Sequence, residues 1–164
     1  VLWEGAAYRG RFRAVPWDGS AHFDKAAIAS VVPINFFNRD RTLEMRGGSD
    51  LAWQSVTTGN FSGFITVLED SKSGSIALET ALINETVLLA DIGYEDKVLD
   101  ASDILPRGMR LFRLPNDNPH TSVSIQRKLT PQIGRDNPFY VRVTLEDGTQ
   151  AWSSPIYVLR ELDN

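Results

Sequence analysis

The run Asp136–Leu159, DNPFYVRVTLEDGTQAWSSPIYVL, sets two alternating apolar segments on either side of an Asp-Gly pair. That arrangement marks a tight β-hairpin, because Asp-Gly accepts the positive φ that such turns require. Phe139, Val141, Val143 and Leu145 share one face of the first strand, and Tyr140, Arg142, Thr144 and Glu146 share the other, since strand side chains alternate. Beyond Asp147-Gly148, Trp152, Ile156 and Val158 continue the apolar set. A lone hairpin is marginal in water, so the remaining strands are expected to cover this face and to take Trp152 into the core.

Upstream, similar short runs recur between turn residues. Gly5–Val15 sets Arg9, Arg11 and Arg13 against Gly10, Phe12 and Ala14, which predicts a strand with an arginine-lined face, and Trp17–Ser20 predicts a turn. Ala26–Ile34 predicts a strand that Pro33 confines to a sheet edge. Arg39–Gly48 predicts a polar loop, Asp50–Val56 a strand carrying Leu51 and Trp53, and Phe61–Glu69, apolar on both faces, a central strand. Ile76–Thr80 alternates again, and Leu82–Ile92 suits a buried strand or one helical turn, with strand preferred. Asp96–Gly108 predicts loop, Met109–Leu114 extended chain, and Thr121–Leu129 a strand with Val123, Ile125 and Leu129 in register. The tripeptide Asp-Asn-Pro opens the segments at Asp117 and Asp136 and reads as turn chemistry. About ten short strands without an amphipathic helix predict an all-β fold, an antiparallel two-sheet β-sandwich of immunoglobulin- or fibronectin-like character. One domain over residues 1–164 is expected. Phe139 stands where such domains often carry a corner tyrosine, so no tyrosine corner is expected there.

A chain of 164 residues buries enough surface, roughly 70% of what its unfolded form exposes, to hold a core unaided. It has no cysteine, which excludes disulfides, thiolate metal sites and thiol nucleophiles and leaves cytoplasm and periplasm both open. A net charge of -4 and a pI near 5.2 exert no global attraction on nucleic acid or an anionic membrane, so neither is an expected partner. The basic residues are mostly arginine, which still permits a local patch. The longest apolar run, Val87–Ala90, is far below the roughly 20 residues of a membrane helix, and a soluble chain is expected. The opening Val1-Leu2-Trp3 has no Met start, basic segment or apolar leader, and reads as internal to a longer polypeptide.

The inventory of reactive residues is thin. His22 and His120 are the sole histidines and lack any paired metal-ligand spacing, so surface or turn positions suit them better than a hydrolytic zinc site. Ser153 in Trp152-Ser153-Ser154-Pro155 has no G-x-S-x-G elbow and reads as a solvent-facing strand hydroxyl. Asp100, Asp103, Asp117 and Asp136 lie in loops of the kind that attract Ca²⁺, yet none fits the D-x-[DN]-x-[DN]-G loop. No catalytic residue, metal ligand or cofactor is therefore predicted. Trp3 and Trp17 are the candidate exposed platforms for a ligand, sugar above all, whereas Trp53 and Trp152 fall in apolar register. Arg9, Arg11 and Arg13 are ordinarily a solvated face with carboxylate partners; the sharper reading is an interface or anion site.

Several stretches, taken together, resemble a known family. They are Trp3 with the segment to Arg13, Trp17-Asp18-Gly19, Val32-Pro33-Ile34-Asn35-Phe36, Trp53 through Gly59, Tyr140-Val141-Arg142-Val143 and Ala151 through Tyr157. The chain resembles the C-terminal region of bacterial proteins that carry an upstream PHP-type metal-dependent phosphoesterase domain, the DUF3604 and CehA/McbA-like group. The metal-binding residues of that group belong to the phosphoesterase domain and have no counterpart here, so no site residue carries over. The resemblance implies a non-catalytic, β-rich accessory domain whose partner is the upstream catalytic domain of the same polypeptide. The alternative is an autonomous carbohydrate- or ligand-binding sandwich.

Overall fold

β-Branched and aromatic residues recur two apart along most of the chain, and Gly, Pro, Asn and Asp cut them into short strands. The computed structural model describes residues 1–70, 72–115, 122–145 and 150–160. In chain order the strands are β1 (Leu2–Gly5), β2 (Val15–Pro16), β3 (Gly19–Asp24), β4 (Ile28–Ile34), β5 (Leu43–Arg46), β6 (Asp50–Trp53), β7 (Val56–Thr57) and β8 (Phe61–Leu68). They continue as β9 (Ser75–Thr80), β10 (Asn84–Leu88), β11 (Lys97–Asp100), β12 (Arg107–Leu111), β13 (Asp136–Phe139), β14 (Arg142–Thr144), β15 (Gln150–Trp152) and β16 (Ile156–Leu159). Every ladder between them is antiparallel, so the chain is all β as predicted. It divides into two compact units, Val1–Leu114 and Pro115–Asn164, where the sequence predicts one domain.

The first unit is a two-sheet sandwich. One sheet runs β11-β12-β1-β8-β4, the other β10-β9-β3-β6-β5, and a short β2-β7 pair accompanies them. Inward residues of both sheets form one core, with Trp3, Phe64, Met109 and Leu111 from the first and Phe23, Leu51, Trp53, Ile76 and Leu78 from the second. Trp3 stacks on Trp53 at 5.0 Å and 14°, and Phe64 lies 6.0 Å from Trp3 and 5.6 Å from Trp53, so aromatic rings join the two layers. Each buried indole N–H is satisfied. Trp3 Nε1 donates to Ser55 Oγ at 2.9 Å, Trp17 Nε1 to Thr57 Oγ1 at 2.9 Å, and Trp53 Nε1 to the Trp17 carbonyl.

The predicted central strand is β8, flanked by β1 and β4, and the Pro33-bearing strand is the sheet edge β4. Leu82–Ile92 holds a strand, β10, but at a sheet edge with Val87 alone buried in it, and then a 3-10 turn at Leu89–Asp91. Two predicted loops hold edge strands instead, β5 and β11. An edge strand buries few side chains, so its apolar pattern is faint; here burial is confined to partial cover at Leu43, Lys97 and Leu99. The predicted turn at Trp17–Ser20 likewise runs into β3.

The predicted arginine-faced strand is not formed. Ala6–Ala14 is a loop, because Gly10 at φ 85° and Phe12 at φ 58° turn the backbone out of the extended region. The Ala7 N–H donates to the Arg13 carbonyl at 3.0 Å and closes the loop at its base.

In the second unit the predicted hairpin does pair. Phe139 opposes Ile156 in the β13-β16 ladder and Arg142 opposes Trp152 in β14-β15, while the Asp147-Gly148 turn lies outside the described residues. The Asn137 carboxamide ties this unit together, accepting from the Gln132 N–H at 2.8 Å and donating to the Val158 carbonyl at 3.0 Å. Within this unit Val141, Val143, Ile156 and Trp152 are exposed, Trp152 to 60%, and no other strand of the unit covers this face among the described residues. Trp152 is thus no core residue. Nor does Thr121–Leu129 supply a strand among the described residues, and Val123, Ile125 and Leu129 are exposed. The core of the first unit is filled by side chains of its own two five-stranded sheets and adjoining segments.

Candidate functional site

Trp3 and Trp17 are fully buried and cannot serve as exposed ligand platforms. Trp3 lies in β1 and Trp17 in the link between β2 and β3, and their single polar atoms are spent on Ser55 and Thr57. The large aromatic area that would stack on a sugar holds the core together instead.

The concentration of unspent polar chemistry lies at one end of the sandwich. The antiparallel registers put the end of β1, the start of β8 and the end of β4 side by side, with Glu4 opposite Phe61 and Ile34 opposite Gly63. The loop Ala6–Ala14 leaves from Gly5, whose carbonyl accepts from the Gly59 N–H at 2.9 Å and Thr57 Oγ1 at 2.8 Å, and returns through Val15 opposite Thr57. The segment Asn35–Thr42 leaves from Ile34 beside it. Five arginines in these two loops, Arg9, Arg11, Arg13, Arg39 and Arg41, stand against one acid, Asp40, although the whole chain is net negative.

The three arginines of the first loop are exposed, and none forms a salt bridge among the described residues. Phe12 between them is 88% exposed in left-handed backbone, which is costly for a bulky residue. The loop therefore presents alternating cation and aromatic chemistry outward, though from a loop and not from the strand that the sequence predicts.

The second loop borders a half-open groove of about 210 Å³ lined by Asn35, Phe37, Asn38, Arg41, Gln54 and Asn60 among others. Its position is firmly set. Phe36 packs edge-on against Trp3 at 6.1 Å, Asn35 sits at φ 59° with its Nδ2 donating to the Phe61 carbonyl at 3.0 Å, and the Gln54 N–H donates to the Thr42 carbonyl at 3.0 Å. The sequence reading passed over these residues, because a site assembled from separated amides has no spacing signature. The asparagines flanking Phe36-Phe37 are the one local hint.

The other candidates are not brought into reactive groupings. His22 Nδ1 lies 2.8 Å from Asp50 Oδ1 across β3-β6, an exposed pair, and that hydrogen bond holds the Asp50 carboxyl below the usual carboxylate range. His120 and Asp117 lie outside the described residues. Asp100 accepts from the Ser102 hydroxyl, which lowers its pKa, and Asp103 pairs with Arg107 at 3.6 Å. Among the described residues no three His, Asp or Glu side chains converge as a metal site. Ser153 lies in the link between β15 and β16 and not in the strand that the sequence predicts; its exposed hydroxyl accepts from the Val141 N–H at 3.0 Å and donates to the Ser154 carbonyl at 3.0 Å. Among those residues, too, no helix is long and apolar enough to cross a membrane.

Comparison with family models, with curated proteins and with solved structures finds no match to this chain.

Proposed function

We propose that the chain is a non-catalytic accessory domain of a larger metal-dependent hydrolase, with a phosphoesterase-like catalytic part upstream. It acts by packing on that part or by shaping the approach of substrate. The observation that carries this reading is the loop Ala6–Ala14, whose Arg9, Arg11 and Arg13 are exposed and have no acidic partner among the described residues. Neighbouring like charges repel, and a surface that supplies carboxylates and accepts Phe12 offsets both the repulsion and the exposed ring. Arginine and aromatic residues are enriched at protein interfaces for this reason. The burial of Trp3 and Trp17 removes the platform on which an autonomous carbohydrate module would have rested.

The test compares two proteins. Arg→Ala changes at Arg9, Arg11 and Arg13 should leave the melting curve of the 164-residue chain almost unmoved, within about 0.5 kcal/mol each, because the side chains touch little. In the full-length polypeptide the same changes should speed proteolysis or amide exchange at the junction with the upstream part. Equal small effects in both would show the loop to be solvated and would remove the support for this reading.

A further inference from the structure

The groove beside Phe37 has a composition that its structural role does not require. Its polar lining consists of the exposed amides of Asn38, Gln54 and Asn60, the half-buried Asn35 and Arg41, and the buried hydroxyls of Ser55 and Ser62, and several of these groups are already oriented by the backbone. A backbone N–H can bond only the oxygen end of a carboxamide. The Asp40 N–H donates to Asn38 Oδ1 at 3.0 Å and the Thr58 N–H to Asn60 Oδ1 at 2.7 Å, so each leaves its Nδ2 donor without a partner among the described residues. Asn35 is set the other way round: its Nδ2 is spent on the Phe61 carbonyl, and its Oδ1 stays available as an acceptor.

Arg41 adds the charge. It is half-buried, and among the described residues its guanidinium has neither a hydrogen bond nor a salt bridge. A planar, five-donor cation held partly out of water matches a carboxylate in two parallel hydrogen bonds. Gln54 offers both a donor and an acceptor to the groove, and Phe37, 87% exposed, offers an aromatic face. At about 210 Å³ the groove falls below the roughly 300 Å³ at which sites for drug-sized ligands begin, which suits a single ring.

We propose that this groove is a binding subsite for an acidic monosaccharide unit, a hydroxylated ring bearing one carboxylate. Arg41 holds the carboxylate; Asn38 and Asn60 donate to ring hydroxyls, Asn35 and Gln54 accept from them, and Phe37 covers the apolar face of the ring. An inorganic anion would leave the acceptors of Asn35 and Gln54 and the Phe37 face unused, and a neutral sugar would leave the Arg41 charge without a counter-charge. The subsite stands whether or not the parent protein is a hydrolase.

The experiment titrates the 164-residue chain, observed by ¹H-¹⁵N correlation spectra that include side-chain amides, with glucuronate, glucose and acetate in separate series. Glucuronate should bind with a Kd of about 1 mM, the affinity usual for a ring-sized ligand, and shift the Asn38, Asn60 and Gln54 side-chain amides. Glucose, lacking the carboxylate, and acetate, lacking the ring, should each bind at least tenfold more weakly. Arg41→Gln should weaken glucuronate at least tenfold and Gln54→Ala several-fold. Neither side chain makes an internal bond, so both variants should keep the parent melting temperature. Absence of saturable shifts with glucuronate, acetate binding as tight as glucuronate, or an Arg41→Gln variant that binds like the parent would each overturn the proposal.

Discussion

At the scale of single residues, the indoles determine most. Trp3, Trp17 and Trp53 each place a large ring in the interior and find one acceptor for the N–H, so their burial costs no unpaired donor. Trp3→Ala should destabilise the chain by about 3–5 kcal/mol, because it removes the ring that stacks on Trp53 and leaves Ser55 Oγ without its donor. Chemical denaturation followed by circular dichroism measures this; a loss under about 1 kcal/mol would mean that the inter-sheet stack carries little of the core. In the 164-residue chain taken alone the Val1 amino group supplies a pH effect, one that a peptide bond to an upstream segment would abolish. Burial, reinforced by Arg110, lowers its pKa from 8.0 to about 5, while its hydrogen bond to the Phe64 carbonyl at 2.9 Å holds it in place. Between about pH 5 and 8 the unfolded chain therefore holds a proton that the folded chain has released. Stability should rise with pH across that window and be lowest below it, where the buried amine is charged. Acetylating Val1 should flatten that part of the stability profile, and an unchanged slope would assign it to other groups.

Among the elements, β8 makes the tightest demand. It lies between β1 and β4, and a Cβ added at Gly63 would sit 2.2 Å from the Val1 carbonyl oxygen, so the strand approaches its neighbour more closely than any side chain permits. Gly63→Ala should cost about 1–3 kcal/mol by forcing β1 away, read as a lowered denaturation midpoint with an unchanged slope. A neutral substitution there would show that β1 can shift freely. The contrast with Ala6–Ala14 is instructive. Its Arg-x-Arg-x-Arg alternation is a faithful strand pattern in sequence, yet Gly10 and Phe12 take positive φ and the loop instead hangs from hydrogen bonds at its two ends. Alternation names a face only where neighbouring strands are there to pair. For the final hairpin the pattern did predict the pairing, since a ladder across a short turn is local, but not what its side chains meet.

For the whole molecule, the division after Leu114 leads to a firm expectation, because every member of the main apolar cluster lies at or before Leu111. A chain ending at Leu114 should keep the strand-rich circular dichroism and a cooperative melting transition of the first unit. Loss of cooperativity would show that the second unit contributes to that core. Several features were legible in the amino-acid sequence alone: the all-β character, the edge and central placements of β4 and β8, the local pairing of Asp136–Leu159, and the core position of Trp53. All of these follow from period-two alternation, from the missing N–H of Pro33 and from turn residues, which act over a few neighbouring positions. Burial of Trp3 and Trp17, exposure of Trp152, and the gathering of Asn35, Arg41, Gln54 and Asn60 around one groove were decided by tertiary structure. Each depends on which strand ends lie side by side and on which unit supplies the side chains that fill the space between two sheets. Those are long-range facts of the folded chain, and no local spacing of residues encodes them.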